Sequence, residues 1–202
     1  QYLWLAQEDV PEGFEGAKFV CSPPLRRRSE VHQAALWSGI SSGRVDAVAT
    51  DHCPFTWEQK EAGRRDFRKI PNGLGVVEHR MDLVYQGVVE GWIPLTRWIE
   101  VTAETPAKIS GLYPRKGTIA PGSDADVVIY NPSASHVLSA STHHMNLDYS
   151  VFEGAEVGGT VETVLLRGEV IVDEGEFVGE VGRGEYLPRG TNSLLPEGTG
   201  RS

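Results

Sequence analysis

The sequence has few basic residues and no long apolar run. Lysine and arginine number 19 against 28 acidic residues, and the formal net charge is −9. A nucleic-acid-binding surface needs concentrated positive charge, so this composition argues against that class of protein. The one basic cluster, Arg26–Arg28, is short, and we interpret it as a solvated turn. No stretch approaches the roughly 18 apolar residues of a membrane-spanning helix, and no signal-peptide pattern opens the chain.

Cysteine and methionine are also scarce. Cys21 and Cys53 are too few for a disulfide framework, so the sequence predicts a reducing compartment and hence a cytoplasmic protein. The two methionines, Met81 and Met145, lie inside the chain, which opens abruptly on the apolar residues 2–5. We therefore expect a piece of a longer protein that is cut inside a domain.

What is present is ordinary globular composition, with 40% hydrophobic and 23% charged residues in 202 positions. An apolar segment ending at Cys21, a helix from an N-cap at Ser29 to about Ser42, and a buried strand over residues 45–50 follow one another. Strand, helix and strand in this order predict a parallel sheet. The charge-dense residues 58–69 are expected to be exposed.

The second half of the sequence changes character. Apolar spacing predicts helices over residues 81–89 and 95–102, and Thr105 with Pro106 predicts the cap of a third helix that stops at Gly111. From Lys116 onward the pattern is β-rich, with a strand at 127–130 and a hairpin of 161–166 and 169–172 around a turn at 167–168. From residue 182 we expect an extended tail that is ordered only if it docks.

Several side chains are candidates for chemistry, and each has an ordinary alternative. Asp51, at the tip of the predicted strand, could be a metal ligand or a general base, or only a turn former. His52 should point to the opposite face and so not share an ion with Asp51. Cys53 reads better as an inert thiol than as a nucleophile. His143 and His144 are adjacent, and neighbouring side chains seldom chelate one ion together.

Several motifs in order along the chain resemble the dihydropyrimidinase/D-hydantoinase family of the amidohydrolase superfamily. They are Val-Cys-Ser-Pro-Pro-Leu-Arg at 20–26, Thr-Asp-His-Cys-Pro-Phe at 50–55, Gln59-Lys60, Lys-Ile-Pro-Asn-Gly at 69–73, Gly-Ser-Asp-Ala-Asp at 122–126 and Thr-His-His at 142–144. The resemblance implies an α/β fold: the C-terminal units of a (β/α)8 TIM-type metal-dependent hydrolase barrel over residues 1–115. Part of a small β-sandwich would follow over 116–181, and an extended tail over 182–202.

The resemblance also implies a reaction. In the family, two zinc ions bridged by a hydroxide and a carboxylated lysine open cyclic amides, namely 5,6-dihydropyrimidines such as dihydrouracil or 5-substituted hydantoins. It puts Asp51 at the end of the last barrel strand as a ligand to one zinc and as the acid/base. Ser22 and Asn72 match positions whose backbone groups hold the substrate. A homotetramer is implied as well.

The remaining ligands of that family have no counterpart here. They are a His-x-His pair, the lysine and two further histidines, all upstream, and none of the six histidines of this sequence matches them. Because a catalytic zinc needs about three protein ligands, we expect the chain alone to be inactive. Small departures, such as Gly75-Val76, His79 and a slightly long spacing from Ser22 to Asp51, leave the exact substrate open.

Two alternatives remain open. Non-catalytic dihydropyrimidinase-related scaffold proteins share the fold but lack the acid at the position of Asp51 and the amide at that of Asn72, so both residues favour an enzyme. Another cyclic amidase, such as allantoinase or dihydroorotase, fits the Ser-Pro-Pro-Leu-Arg and Ile-Pro-Asn-Gly loops less well. A ring-opening assay across their substrates separates these branches.

Overall fold

The computed structural model describes residues 1–194, and the end of the predicted tail, residues 195–202, lies outside them. The first part is helical and the second is an antiparallel sheet. The helices are α1 His32–Ser41, α2 Trp57–Glu61, α3 Arg80–Val89, α4 Leu95–Ile99 and α5 Thr105–Ile109, with a π-helical turn at Glu100–Glu104 and short 3-10 turns at Gln7–Asp9, Gly13–Phe19, Arg28–Glu30 and Phe67–Lys69. The strands are β1 Val127–Val137, β2 Glu156–Leu166, β3 Glu169–Asp173 and β4 Glu176–Phe177. None of the helices in residues 1–194 is long and apolar enough to span a membrane.

Helix α1 begins later than predicted. Ser29 lies inside the 3-10 turn before it, and Val31 adopts a left-handed φ of 54° between the two elements. Ser29 therefore cannot cap α1, and the predicted N-cap is wrong. The helix ends at Ser41, and Gly43 follows with a φ of 77°, as expected for a glycine stop.

The predicted strand over residues 45–50 does not form a ladder. Val48 donates its N–H to the carbonyl of Val101, and the nearest parallel pairing is a single bridge between His52 and Leu74. A parallel strand needs a neighbour along its whole hydrogen-bonding edge, and residues 1–194 supply one only at this bridge. Both residues of that bridge lie outside the predicted strands, so the predicted regular strand over residues 45–50 and its parallel pairing are wrong for the part of the chain that the structure describes.

The helix predicted over residues 95–102 and the helix predicted from Thr105 form one helical run. Thr105 does not cap a new helix, because α4 continues through the π-helical turn directly into α5. Pro106 has no N–H to donate to the preceding turn, and widening of that turn accommodates the missing hydrogen bond. The break between these two predicted helices is therefore wrong.

Helix α3 forms where the spacing predicts it, but its buried face is rotated. Val84 and Tyr85 are buried as expected, whereas Val89 is 55% exposed and Leu83 and Asp82 are buried instead. The reason is the sheet, which packs on this side of α3: the Asp82 carboxylate accepts a hydrogen bond from Tyr130 of β1 at 3.3 Å. Tertiary packing here overrides the face that the sequence of the helix alone suggests.

The four strands form one antiparallel sheet in the order β1-β2-β3-β4. The predicted hairpin is confirmed, because Arg167 and Gly168 link β2 to β3 with positive φ values of 50° and 85°, the geometry of a two-residue turn. The described part of the tail docks, since the N–H of Gly190 donates to the carbonyl of Gly111 at 2.8 Å. The division into barrel, sandwich and tail at residues 115 and 181 stays a prediction.

Candidate active site

The Ser22 loop is held by a hydrogen bond to the protein on one side and is exposed to solvent on the other. Ser22 is exposed, and Tyr2 fixes the loop by donating from its hydroxyl to the carbonyl of Pro23 at 2.6 Å. The pKa of Tyr2 is raised, mainly by burial and next by Cys21, with Asp51 adding to it. Tyr2 therefore lies near both the Ser22 loop and the predicted catalytic carboxylate.

Asp51 is exposed and stands at a sharp turn, with a left-handed φ of 49°. The next residue turns away from it, because His52 accepts hydrogen bonds on Nδ1 from the backbone N–H groups of Val76 and Val77, each at 3.1 Å. In the neutral ring this places the proton on Nε2. His52 thus serves to hold the loop, while the Asp51 carboxylate stays free of hydrogen bonds to residues 1–194.

The Asn72 loop touches both other loops through Gly73. The N–H of Gly73 donates to the carbonyl of Val20 at 2.9 Å, next to the Ser22 loop. A Cβ on Gly73 would lie 2.4 Å from the carbonyl oxygen of Cys53, so glycine allows the closest approach to the Asp51 loop. Asn72 itself is exposed. The structure therefore makes neighbours of the three loops that carry Ser22, Asp51 and Asn72.

Lys60 lies beneath these loops, where its charged surroundings in the sequence do not predict it. It lies in the charge-dense segment expected to be exposed, yet it is 0% exposed. Helix α2 presents it inward, and a capping box holds the start of α2: Gln59 donates its N–H to the Thr56 hydroxyl and accepts from the Thr56 N–H at 2.8 Å. The Thr-x-x-Gln spacing is the signal that could have placed this helix. Exposure of the whole segment is a wrong prediction.

The described residues do not complete a metal site by themselves. No group of three or more histidine, cysteine, aspartate or glutamate side chains with ligand geometry occurs in residues 1–194. The exposed carboxylate of Asp51 offers one oxygen ligand, whereas a catalytic zinc site has about three protein ligands. The two adjacent histidines diverge: His144 contacts Glu78 at 2.9 Å, and the His143 ring faces His79 at a centroid distance of 5.9 Å.

A cavity of about 650 Å³ lies away from these loops. It is lined by three tryptophans, Trp4, Trp37 and Trp92, together with Arg28 and residues of α1. Because none of the three predicted site residues borders it, the three-loop region remains the better candidate for chemistry.

The model of the amidohydrolase family matches residues 10–171. The D-hydantoinase of Streptomyces coelicolor is 57% identical over 197 residues, which cover 96% of this chain and 42% of that protein. The D-hydantoinase of Ralstonia pickettii is 48% identical over 190 residues, covering 93% of this chain and 41% of that protein. This chain thus spans less than half the length of these curated relatives.

The solved structures agree with the curated relatives. The crystal structure of dihydropyrimidinase from Brevibacillus agri superimposes with a TM-score of 0.92 at 46% identity, covering 97% of this chain and 42% of that one. These neighbours confirm the predicted fold class, an α/β chain that corresponds to part of a hydrolase barrel with its attached β domain.

Proposed function

Because this chain belongs to the amidohydrolase family, we propose that it supplies part of the active site of a zinc-dependent cyclic amidase. The reaction is hydrolytic ring opening of a 5-substituted hydantoin or of a 5,6-dihydropyrimidine such as dihydrouracil. The observation that carries the proposal is the meeting of three loops that expose Ser22, Asp51 and Asn72. The curated relatives named above are D-hydantoinases, which favours this branch over allantoinase and dihydroorotase.

Asp51 is proposed as ligand to one zinc and as the acid/base. When bound, zinc makes hydroxide available near neutral pH and polarises the ring carbonyl. The Asp51 carboxylate accepts the proton released as the nucleophile attacks, and it then donates that proton to the leaving amide nitrogen. Its exposed position with no hydrogen-bond partner among residues 1–194 suits both steps.

Ser22 and Asn72 are proposed to hold the cyclic amide through their backbone groups. A ring amide presents one carbonyl acceptor and one N–H donor side by side, and backbone C=O and N–H groups complement them. The Asn72 N–H makes no hydrogen bond to a backbone or side-chain acceptor in the part of the chain that the structure describes, so it is available to a substrate carbonyl.

The remaining zinc ligands are proposed to lie in a segment that completes the barrel, so the 202 residues alone should not turn over substrate. The complete enzyme is proposed to be a cytoplasmic homotetramer. A scaffold protein is the alternative, and the exposed Asp51 and Asn72 speak against it.

The test joins this chain to the upstream part of the Streptomyces coelicolor D-hydantoinase and assays ring opening with zinc present. The substrates are dihydrouracil, D and L forms of a 5-substituted hydantoin, allantoin and dihydroorotate, and the unjoined chain is assayed in parallel. We expect turnover of the first two classes by the joined protein only. An inactive joined protein that binds zinc and folds would refute the proposed function.

A further inference from the structure

Lys60 carries a buried positive charge with every donor occupied. Its Nζ donates to the carbonyl of Pro71 at 2.7 Å, to that of Gly73 at 3.0 Å and to that of Val20 at 3.4 Å. An ammonium has three N–H donors, so the three carbonyls use all of them. A buried charge is costly unless it is fully hydrogen-bonded, and the structure meets that condition without a carboxylate partner.

The three carbonyls belong to the two loops that are proposed to hold the substrate. Val20 lies two residues before Ser22, and Pro71 and Gly73 flank Asn72 on both sides. The N–H of Gly73 also donates to the Val20 carbonyl, so this oxygen accepts from Lys60 and from the Asn72 loop at once. Lys60 and Gly73 therefore fix the separation of the two loops.

The contact with Pro71 has a further electrostatic effect. The Pro71 carbonyl and the Asn72 N–H are the two ends of one peptide unit. A hydrogen bond from a charged donor to the carbonyl withdraws electron density from that unit, and hydrogen bonds in such a chain strengthen one another. The Asn72 N–H, which points away from Lys60 along the same peptide, thereby becomes a stronger donor.

We propose that Lys60 is a positioning residue for the cyclic amide, which ties the Ser22 loop to the Asn72 loop and polarises the Pro71–Asn72 peptide toward the substrate carbonyl. This inference rests on the proposed function of the two loops. It assigns no contact between Lys60 and the substrate, since the side chain is entirely buried beneath them.

The protonation state of Lys60 fits this role at neutral pH. Burial lowers the pKa of Lys60 to about 8, while Coulombic interaction with the sulfur groups of Cys21 and Cys53 in their charged form acts in the opposite direction. The ring of Phe55 lies 5.6 Å from Nζ and also favours the cation. The ammonium is therefore the main form at pH 7, and it has the third donor that a neutral amine lacks.

The first test measures, in the 202-residue chain, whether Lys60 holds the Ser22 loop and the Asn72 loop together. Lys60→Met keeps an unbranched side chain only one atom shorter and removes its donors, and Lys69→Met, at an exposed lysine, is the matched control. We expect amide hydrogen exchange at Gly73 to become at least tenfold faster in Lys60→Met and to stay unchanged in Lys69→Met. Unchanged exchange in folded Lys60→Met would overturn the proposal.

The second test measures the consequence in the enzyme completed with the Streptomyces coelicolor segment. We expect Lys60→Met to lower kcat/KM for dihydrouracil or a hydantoin at least tenfold, mainly through a higher KM, with zinc content unchanged. A purely structural lysine would lower the melting temperature and leave the KM of the folded enzyme as it is, and that result refutes positioning. If the wild-type joined enzyme opens no ring, the proposed function fails, and positioning fails with it even if Gly73 exchange responds.

If Lys60→Met does not fold, a measurement on the wild-type chain tests whether the Lys60 ammonium is hydrogen-bonded to the three carbonyls. The ammonium protons of Lys60 should exchange with water more slowly than those of Lys69, and their signal should weaken as pH rises above about 8. Equal rates of proton exchange at Lys60 and Lys69 would overturn the proposal that Lys60 links the Ser22 loop to the Asn72 loop.

Discussion

Gly73→Ala is the sharpest single perturbation of the candidate site. Gly73 has a φ of +146°, and an added Cβ would lie 2.4 Å from the carbonyl oxygen of Cys53 and 2.5 Å from its Cβ. One of these atoms is backbone, so it cannot swing aside as the end of a long side chain would. The methyl group must therefore push the Asn72 loop away from the Asp51 loop.

The magnitude follows from two contributions. A positive φ costs an L-residue about 1–3 kcal/mol, and forcing one methyl group into a filled contact costs about 1–3 kcal/mol more. Gly122→Ala is the control, because Gly122 has a φ of +92° and no atom within 4 Å of its added Cβ. The control carries the backbone cost alone, so Gly73→Ala should destabilise the chain by about 2 kcal/mol more than Gly122→Ala.

The assay is urea unfolding of the chain, followed by the fluorescence of its 5 tryptophans. In the completed enzyme the same variant should raise KM, since the loops of Ser22, Asp51 and Asn72 would no longer meet. Equal free energies of unfolding for Gly73→Ala and Gly122→Ala would refute the close approach of the two loops.

Three further predictions concern catalysis, pH and capping. Asp51→Asn in the completed enzyme should abolish turnover with the fold unchanged by circular dichroism, because the amide cannot shuttle a proton; near-normal turnover would exclude the assigned role. Burial lowers the pKa of His79 in the folded chain, so below about pH 6.5 the unfolded chain binds more protons at this residue than the folded chain does. The contribution of His79 to the free energy of unfolding should therefore be complete above about pH 6.5 and should fall below it by up to about 1.4 kcal/mol per pH unit. His79→Phe should flatten that decline in urea unfolding between pH 7 and 5, and an unchanged slope contradicts the assignment. Thr56→Ala should cost about 1 kcal/mol by removing the cap of α2, whereas Ser29→Ala should cost little because Ser29 caps no helix; the reverse order in thermal unfolding would refute the observed capping.

The sequence predicts correctly those elements whose formation depends mainly on neighbouring residues, such as the hairpin and helix α3. The hairpin could be predicted because Gly168, which adopts a positive φ at no steric cost, stands between two β-rich runs, although the residue type of Arg167 does not indicate its φ of 50°. Helix α3 was readable from its spacing, but its buried face depended on Tyr130, 48 positions from Asp82. The resemblance to the dihydropyrimidinase/D-hydantoinase family, which rests on motifs along the whole chain, is confirmed. The regular strand before Asp51 was wrong, because a strand also depends on a partner that its own residues cannot reveal.

The candidate site likewise has one part that a single residue type indicates and another part that depends on how several loops pack together. Asp51 could be singled out because a carboxylate at the tip of an apolar run has a chemical meaning on its own. The backbone binding proposed for Ser22 and Asn72 has no such signature, since any residue other than proline has an N–H and a carbonyl. What makes two such groups into a site is the distance between their loops, and that distance depends on Lys60, whose acceptors are 40, 11 and 13 positions away. The Gln59-Lys60 motif contributes to the family resemblance, but the charge-dense composition around Lys60 predicts a solvated side chain. Its role emerges only when burial removes water and leaves three carbonyls as its partners, which is why a charged segment can contain the residue on which the geometry of a backbone-lined site depends.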